Sequence, residues 1–101
     1  MKPFLVFYDI ENDALRLKLS NLLISVGLER IQHSVFVGML STQTLDLLTN
    51  KTKIILASVE KNSYSFVILP LSKSALKNAL QFGISRTQIT DILTPPNTLI
   101  I

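Results

Sequence analysis

Residues 4–13 read FLVFYDIEND. The first five side chains are apolar or aromatic, the types that fill strands, so Lys2–Asp9 is predicted to be a strand. Both of its faces are apolar: Phe4, Val6 and Tyr8 point one way, Leu5 and Phe7 the other. The strand then ends on Asp9, an acid with no basic neighbour in sequence. Two readings stay open for that acid. Either Asp9 accepts amide hydrogen bonds in the turn near Glu11 and Asn12, or it begins a site at the edge of a rigid scaffold.

The rest of the chain sorts into elements around this strand. Asn12 or Asp13 is placed to cap a helix whose apolar positions are Leu15, Leu19, Leu22, Leu23 and Val26, closed by Gly27. Leu28–Met39 alternates with period two and is read as one long strand bent or broken near His33. On that parity His33 joins Ile31 and Val35 on an apolar side, while Ser34 and Phe36 share a polar face with Arg30 and Gln32. Ser41 caps a second helix running through Leu45 and Leu48 toward Ile55, its end blurred by the poor helix formers Thr49-Asn50-Lys51-Thr52. A polar turn at Glu60–Ser63 precedes the strand Tyr64–Leu69, which Pro70 halts. Ser72 or Lys73 opens a third helix to about Gln81, closing near Gly83. Residues 84–97 are polar and contain Pro95-Pro96, and Asn97–Ile101 is a strand-like tail.

This order predicts one α+β domain over residues 1–101, a ferredoxin-like sandwich with its helices on one face of an antiparallel sheet. Strand 64–69 is also apolar on both faces, with Tyr64, Phe66 and Ile68 opposite Val67 and Leu69. Helices of one small domain cover one face, so the other is expected to meet a second subunit in a homodimer. Residues 84–101 are a candidate for pairing with the partner's sheet edge. If the two-fold axis passes near the end of the first strand, two Asp9 carboxylates meet, and a proton or a hard cation such as magnesium must relieve the repulsion.

Composition removes several function classes. The 101 residues hold no cysteine, which excludes disulfides and thiolate zinc sites and fits a cytoplasmic protein. Mean hydropathy is high at +0.40, yet the longest apolar runs fall far short of the roughly 20 residues of a spanning helix. The N-terminus lacks the pattern of a secretory signal, and no membrane partner is expected. With one histidine and isolated glycines there is no nucleophile elbow, P-loop or dinucleotide fingerprint. The net charge of +3 leans toward polyanions, without the concentrated stripe of a dedicated nucleic-acid binder. Arg16, Lys18 and Arg30 read either as solvated charge or as a set flanking the Asp9 end and holding phosphate oxygens. Leu17 and Ile24, off the apolar stripe of the first helix, are either scattered surface residues or part of a partner contact.

Tyr8-Asp9-Ile10, then Asp13 and Arg16, then Gly27 through Gly38 (GLERIQHSVFVG) together resemble CRISPR-associated protein 2, with a later likeness at Ile68-Leu69-Pro70-Leu71. The resemblance implies a ferredoxin-like homodimer with Asp9 near the two-fold axis. It implies a role in spacer acquisition within prokaryotic antiviral defence, with Asp9 as the catalytic, magnesium-binding acid of an endonuclease on RNA or DNA. Arg16, Lys18 and Arg30 would hold phosphate, and Tyr8, Ser34 and Phe36 would shape the site. The alternatives within the resemblance are a non-catalytic scaffold that bridges the CRISPR integrase and holds spacer DNA, and a toxin-type ribonuclease. Lys18 stands where many members carry arginine, and His33 where tyrosine is frequent.

Overall fold

A computed structural model describes residues 1–83 and 88–93. Its elements are β1 (Lys2–Ile10), α1 (Asp13–Ser25), β2 (Glu29–Gln32), β3 (Val35–Leu40), α2 (Thr42–Leu56), β4 (Tyr64–Pro70) and α3 (Lys73–Lys77). Short 3-10 turns lie at Lys61–Ser63 and Ile89–Leu93. The sheet order is β2-β3-β1-β4 with every neighbouring pair antiparallel, the ferredoxin-like arrangement expected from the alternation of elements.

The segment read as one long strand is two. His33 and Ser34 form the turn of a hairpin in which Gln32 pairs with Val35 and Arg30 with Phe36, with a bulge between Arg30 and Gln32. Parity therefore does not run through the turn, and two sequence expectations change. His33 is exposed rather than on an apolar side, and Gln32 leaves the face of Arg30. Phe36 does share a face with Arg30, because the bulge restores the phase that the turn shifts, but that face is the core side of the sheet and Phe36 is fully buried. The connection from α1 closes tightly above this hairpin. Gly27 adopts φ +97, Gly27 N–H donates to the Ile24 carbonyl and Leu28 N–H to the Leu23 carbonyl, which ends α1 in a Schellman motif.

The helices start as their capping residues dictate. Leu15 N–H donates to Asn12 Oδ1, Thr44 N–H to Ser41 Oγ and Ala75 N–H to Ser72 Oγ. α2 runs straight through Thr49–Thr52 to Leu56, because Leu48, Thr52 and Leu56 are buried on its inner side and Thr49 Oγ1 bonds the Leu45 carbonyl. Burial overrides weak propensity there. α3 stops at Lys77, well before Gln81, where Asn78 Nδ2 donates back to the Ser74 carbonyl.

Register divides the sheet into two faces. Phe4, Val6, Tyr8, Ile10, Phe36 and Leu40 form the core with Leu19, Leu23 and Leu48 from the helices. On the other face Leu5, Phe7 and Val67 are half-buried and Leu69 is exposed. Val37 belongs to this second face yet is buried, and the 3-10 turn at Ile89–Leu93 packs against both β3 and α3. The described residues thus cover the β3 part of that face and leave the β1–β4 part uncovered. The tail Asn97–Ile101 lies outside the described residues. Among the described residues no helix is long and apolar enough to cross a membrane.

Candidate nucleic-acid interface

Alternation along β1 sends its last residues to opposite sides of the sheet. Tyr8 and Ile10 enter the core under the helices, whereas Asp9 emerges on the second face, exposed and opposite Ser65 of β4. A groove of about 500 Å³ opens there, lined by Asp9, Glu11, Asn62, Ser63, Tyr64 and Ser65. Asn12, not Asp9, caps the following helix, and the Asp9 carboxylate accepts no hydrogen bond from the described residues. The turn-former reading of Asp9 is therefore set aside. Asn62, Ser63 and Ser65 escaped the sequence reading because only the β1–β4 register brings them to Asp9.

The donors around that groove are carboxylate, amide and hydroxyl oxygens, the hard set that suits magnesium. Only two of them carry charge, and no group of three or more His, Cys, Asp or Glu side chains assembles among the described residues. The groove fits a hard cation that keeps most of its water.

On the helix side of the same strand end lies a cleft of about 360 Å³ between α1 and the β2–β3 hairpin. It brings together Arg16, Arg30, Tyr8 and His33. Arg16 is anchored twice, by an ion pair with Asp13 and by Nη1 donating to the Ile10 carbonyl at 3.3 Å. Arg30 has no carboxylate partner among the described residues. Its guanidinium carbon sits 5.0 Å from the Phe36 ring centroid, and its buried Nε has no hydrogen-bond partner among the described residues. Phe36 continues into a stack of rings, with Tyr8 at 6.2 Å and Phe66 a further 6.0 Å beyond Tyr8. Ser34 contributes its carbonyl, which accepts from Tyr8 N–H at 3.2 Å and ties the hairpin turn to β1.

The sequence-derived site residues thus fall into two places. Arg16, Arg30 and Tyr8 share the cleft, with Phe36 beneath Arg30, while Asp9 looks into the groove on the other face. Lys18 is exposed and lines neither, since two residues along a helix is about 200° of rotation. Leu17 and Ile24, 61% and 53% exposed, line the cleft, as does Asn21, which sequence reading did not single out.

The family model described as CRISPR associated protein Cas2 matches residues 1–79. A relative from Pyrobaculum aerophilum, named CRISPR-associated endoribonuclease Cas2 2, is 35% identical over 78 residues, which cover 77% of this chain and 82% of the relative. Among solved structures, a Thermus thermophilus protein described as hypothetical superposes with a TM-score of 0.70 at 29% identity, covering 85% of this chain and 95% of that one. A chain from a structure described as a partial Cas6-RT-Cas1–Cas2 complex gives a TM-score of 0.64 at 31% identity, covering 80% of this chain and 90% of that one.

Proposed function

The chain belongs to the Cas2 family of CRISPR-associated proteins, and on that premise we propose that it binds nucleic acid in the adaptation step of prokaryotic antiviral defence. The observation that carries this reading is the convergence of Arg16 and Arg30 on one cleft, Arg30 being without a carboxylate partner among the described residues. Cations held in place before a ligand arrives suit phosphate oxygens, because little side-chain freedom remains to be lost. The working unit in this proposal is a homodimer joined through the β1–β4 part of the second face that the described residues leave uncovered, where Leu5, Phe7, Val67 and Leu69 offer apolar area. The CRISPR integrase is the proposed protein partner, supported by the similar chain described in complex with Cas1.

A second reading, magnesium-dependent cleavage of RNA or DNA, is favoured by the unbonded Asp9 carboxylate on the exposed face and by the name of the Pyrobaculum relative. Asp9, from each of two subunits, would hold the ion, with Glu11 beside it. Magnesium there supplies positive charge that polarises a phosphate and acidifies water. The chain's own part is to present a free carboxylate next to a groove rich in hydroxyl and amide groups. Two acids per chain are a sparse set, so turnover is expected to be slow.

One pair of measurements tests both readings. Affinity for RNA and duplex DNA is expected to fall steeply with salt, as phosphate contacts release counterions; affinity flat in salt overturns the binding reading. Magnesium-dependent cleavage by the wild type is expected to disappear in Asp9→Ala. Equal residual cleavage in the two proteins overturns the cleavage reading.

A further inference from the structure

The cleft between α1 and the β2–β3 hairpin is not lined by charge alone. Leu17 and Ile24 form an apolar wall along α1, both more than half exposed and outside the core. A phosphate has no use for such a wall. A paired duplex has none either, since its backbone presents sugar and phosphate while its bases are stacked inside. The guanidinium of Arg30 lies over the Phe36 ring, at the end of the Phe36–Tyr8–Phe66 stack. Its Nε is buried and has no partner among the described residues, so a phosphate meets only the Nη end of the group, while the planar cation supported from below is also a surface on which a flat ring can continue the stack. Arg16, fixed by Asp13 and the Ile10 carbonyl, stands in the same cleft with N–H groups left over for a phosphate.

We infer that this cleft seats one unpaired nucleotide of a DNA or RNA strand. The base stacks on Arg30 against Leu17 and Ile24, the phosphate is held by Arg16, and Asn21 offers an amide to the base edge. The inference rests on the nucleic-acid-binding reading and narrows it, from backbone contact to an unstacked base. It assigns a purpose to the two exposed apolar side chains of α1 that burial in the core does not supply. It also separates base capture on the helix side from the acid groove on the other face.

The experiment compares oligodeoxyuridylate and oligouridylate with an abasic sugar-phosphate chain of the same length and charge, using fluorescence anisotropy on the full chain at low salt. Base-bearing strands are expected to bind about tenfold more tightly than the abasic chain. The ratio of the two base-bearing strands reports whether the sugar is deoxyribose or ribose. Arg30→Lys keeps the charge and loses the plane, so it should cost the base-bearing strands several-fold more than the abasic chain. Leu17→Ser with Ile24→Ser, at exposed positions that leave the core intact, should shift the same ratio in the same direction. Equal affinity for base-bearing and abasic chains overturns the inference while leaving nucleic-acid binding standing, and so does an Arg30→Lys loss that is the same for both. No binding to any of the three chains overturns both. If Leu17→Ser with Ile24→Ser leaves strand affinity intact and abolishes assembly with the integrase, the wall is a protein contact and the inference is overturned.

Discussion

Tyr8 and Asp9 are neighbours in sequence and belong to different surfaces. Above Tyr8, on the helix side, the cleft is built from groups that are already fixed: Arg16 by two contacts, Arg30 by the ring beneath it, Phe36 by complete burial. Around Asp9 the groove is built from Glu11, Tyr64 and the small polar side chains of Asn62, Ser63 and Ser65, and the acid itself is bonded to nothing among the described residues. The difference separates two requirements of a nucleic-acid protein. Binding gains from donors that lose little freedom when the ligand arrives. Metal chemistry at a single carboxylate takes its geometry from the ion, the substrate and a second subunit. The cleft is therefore the more preorganised of the two within one chain, and the proposed metal chemistry in the groove would need an ion and a second subunit to complete it.

Removing the floor of the cleft is the largest way to break this comparison. Phe36 is fully buried and touches both Arg30 and the ring stack, so Phe36→Ala is expected to cost about 3–5 kcal/mol in urea unfolding. Phe7→Ala, at a half-buried ring on the second face, should cost clearly less in the isolated chain. Equal costs mean that the second face is as tightly filled as the core, and the division between a rigid and an open side fails.

A smaller perturbation reaches the cleft from behind. A Cβ on Gly38 would lie 2.8 Å from Leu28 Cδ2, 3.2 Å from Leu28 Cα and 3.3 Å from the Gly27 carbonyl oxygen. Leu28 is itself buried, so the α1–β2 link that leads to Arg30 must shift. Gly38→Ala is expected to cost about 1–3 kcal/mol, read as a lower Tm. Strand affinity should fall with it, while any magnesium-dependent cleavage at the distant Asp9 groove should persist in the folded fraction. Loss of cleavage in step with binding would show that the two depressions act as one site.

Much of this arrangement was legible in the sequence. The two-sided apolar pattern of β1, the cap at Ser41 and the stop at Gly27 each act through neighbouring residues and stand in the structure as the sequence predicts, while Asn12 and Ser72 are each one of two adjacent candidates between which the structure decides. The hairpin at His33-Ser34 was hidden because strand alternation looks the same on both sides of a two-residue turn, and the turn carries neither glycine nor proline. Continuous alternation therefore puts His33 in the interior and Gln32 beside Arg30, and it reads the face shared by Arg30 and Phe36 as polar although it is the core face. The site residues were legible as types, whereas their division into two surfaces was not. It depends on register between β1 and β4 and on which side of α1 faces the hairpin.

The smallest effect concerns Lys18, which sequence reading grouped with Arg16 and which the fold turns away from it. A side chain in the cleft that contacts one phosphate should, when removed, lower the slope of log affinity against log salt by about one. Arg16→Ala is expected to do so, with strand affinity falling several-fold. Lys18→Ala should change affinity by less than about twofold and leave the slope nearly as it was, because an exposed lysine outside the path adds only screened attraction. Both slopes come from the same anisotropy titrations across a salt series. Equal losses from the two substitutions would place the strand across the outer surface of α1, where Lys18 and Arg16 both reach it, and the cleft would cease to be the path. A loss at Arg16 alone keeps the strand on the side of α1 that faces the hairpin, which is where Arg30 waits.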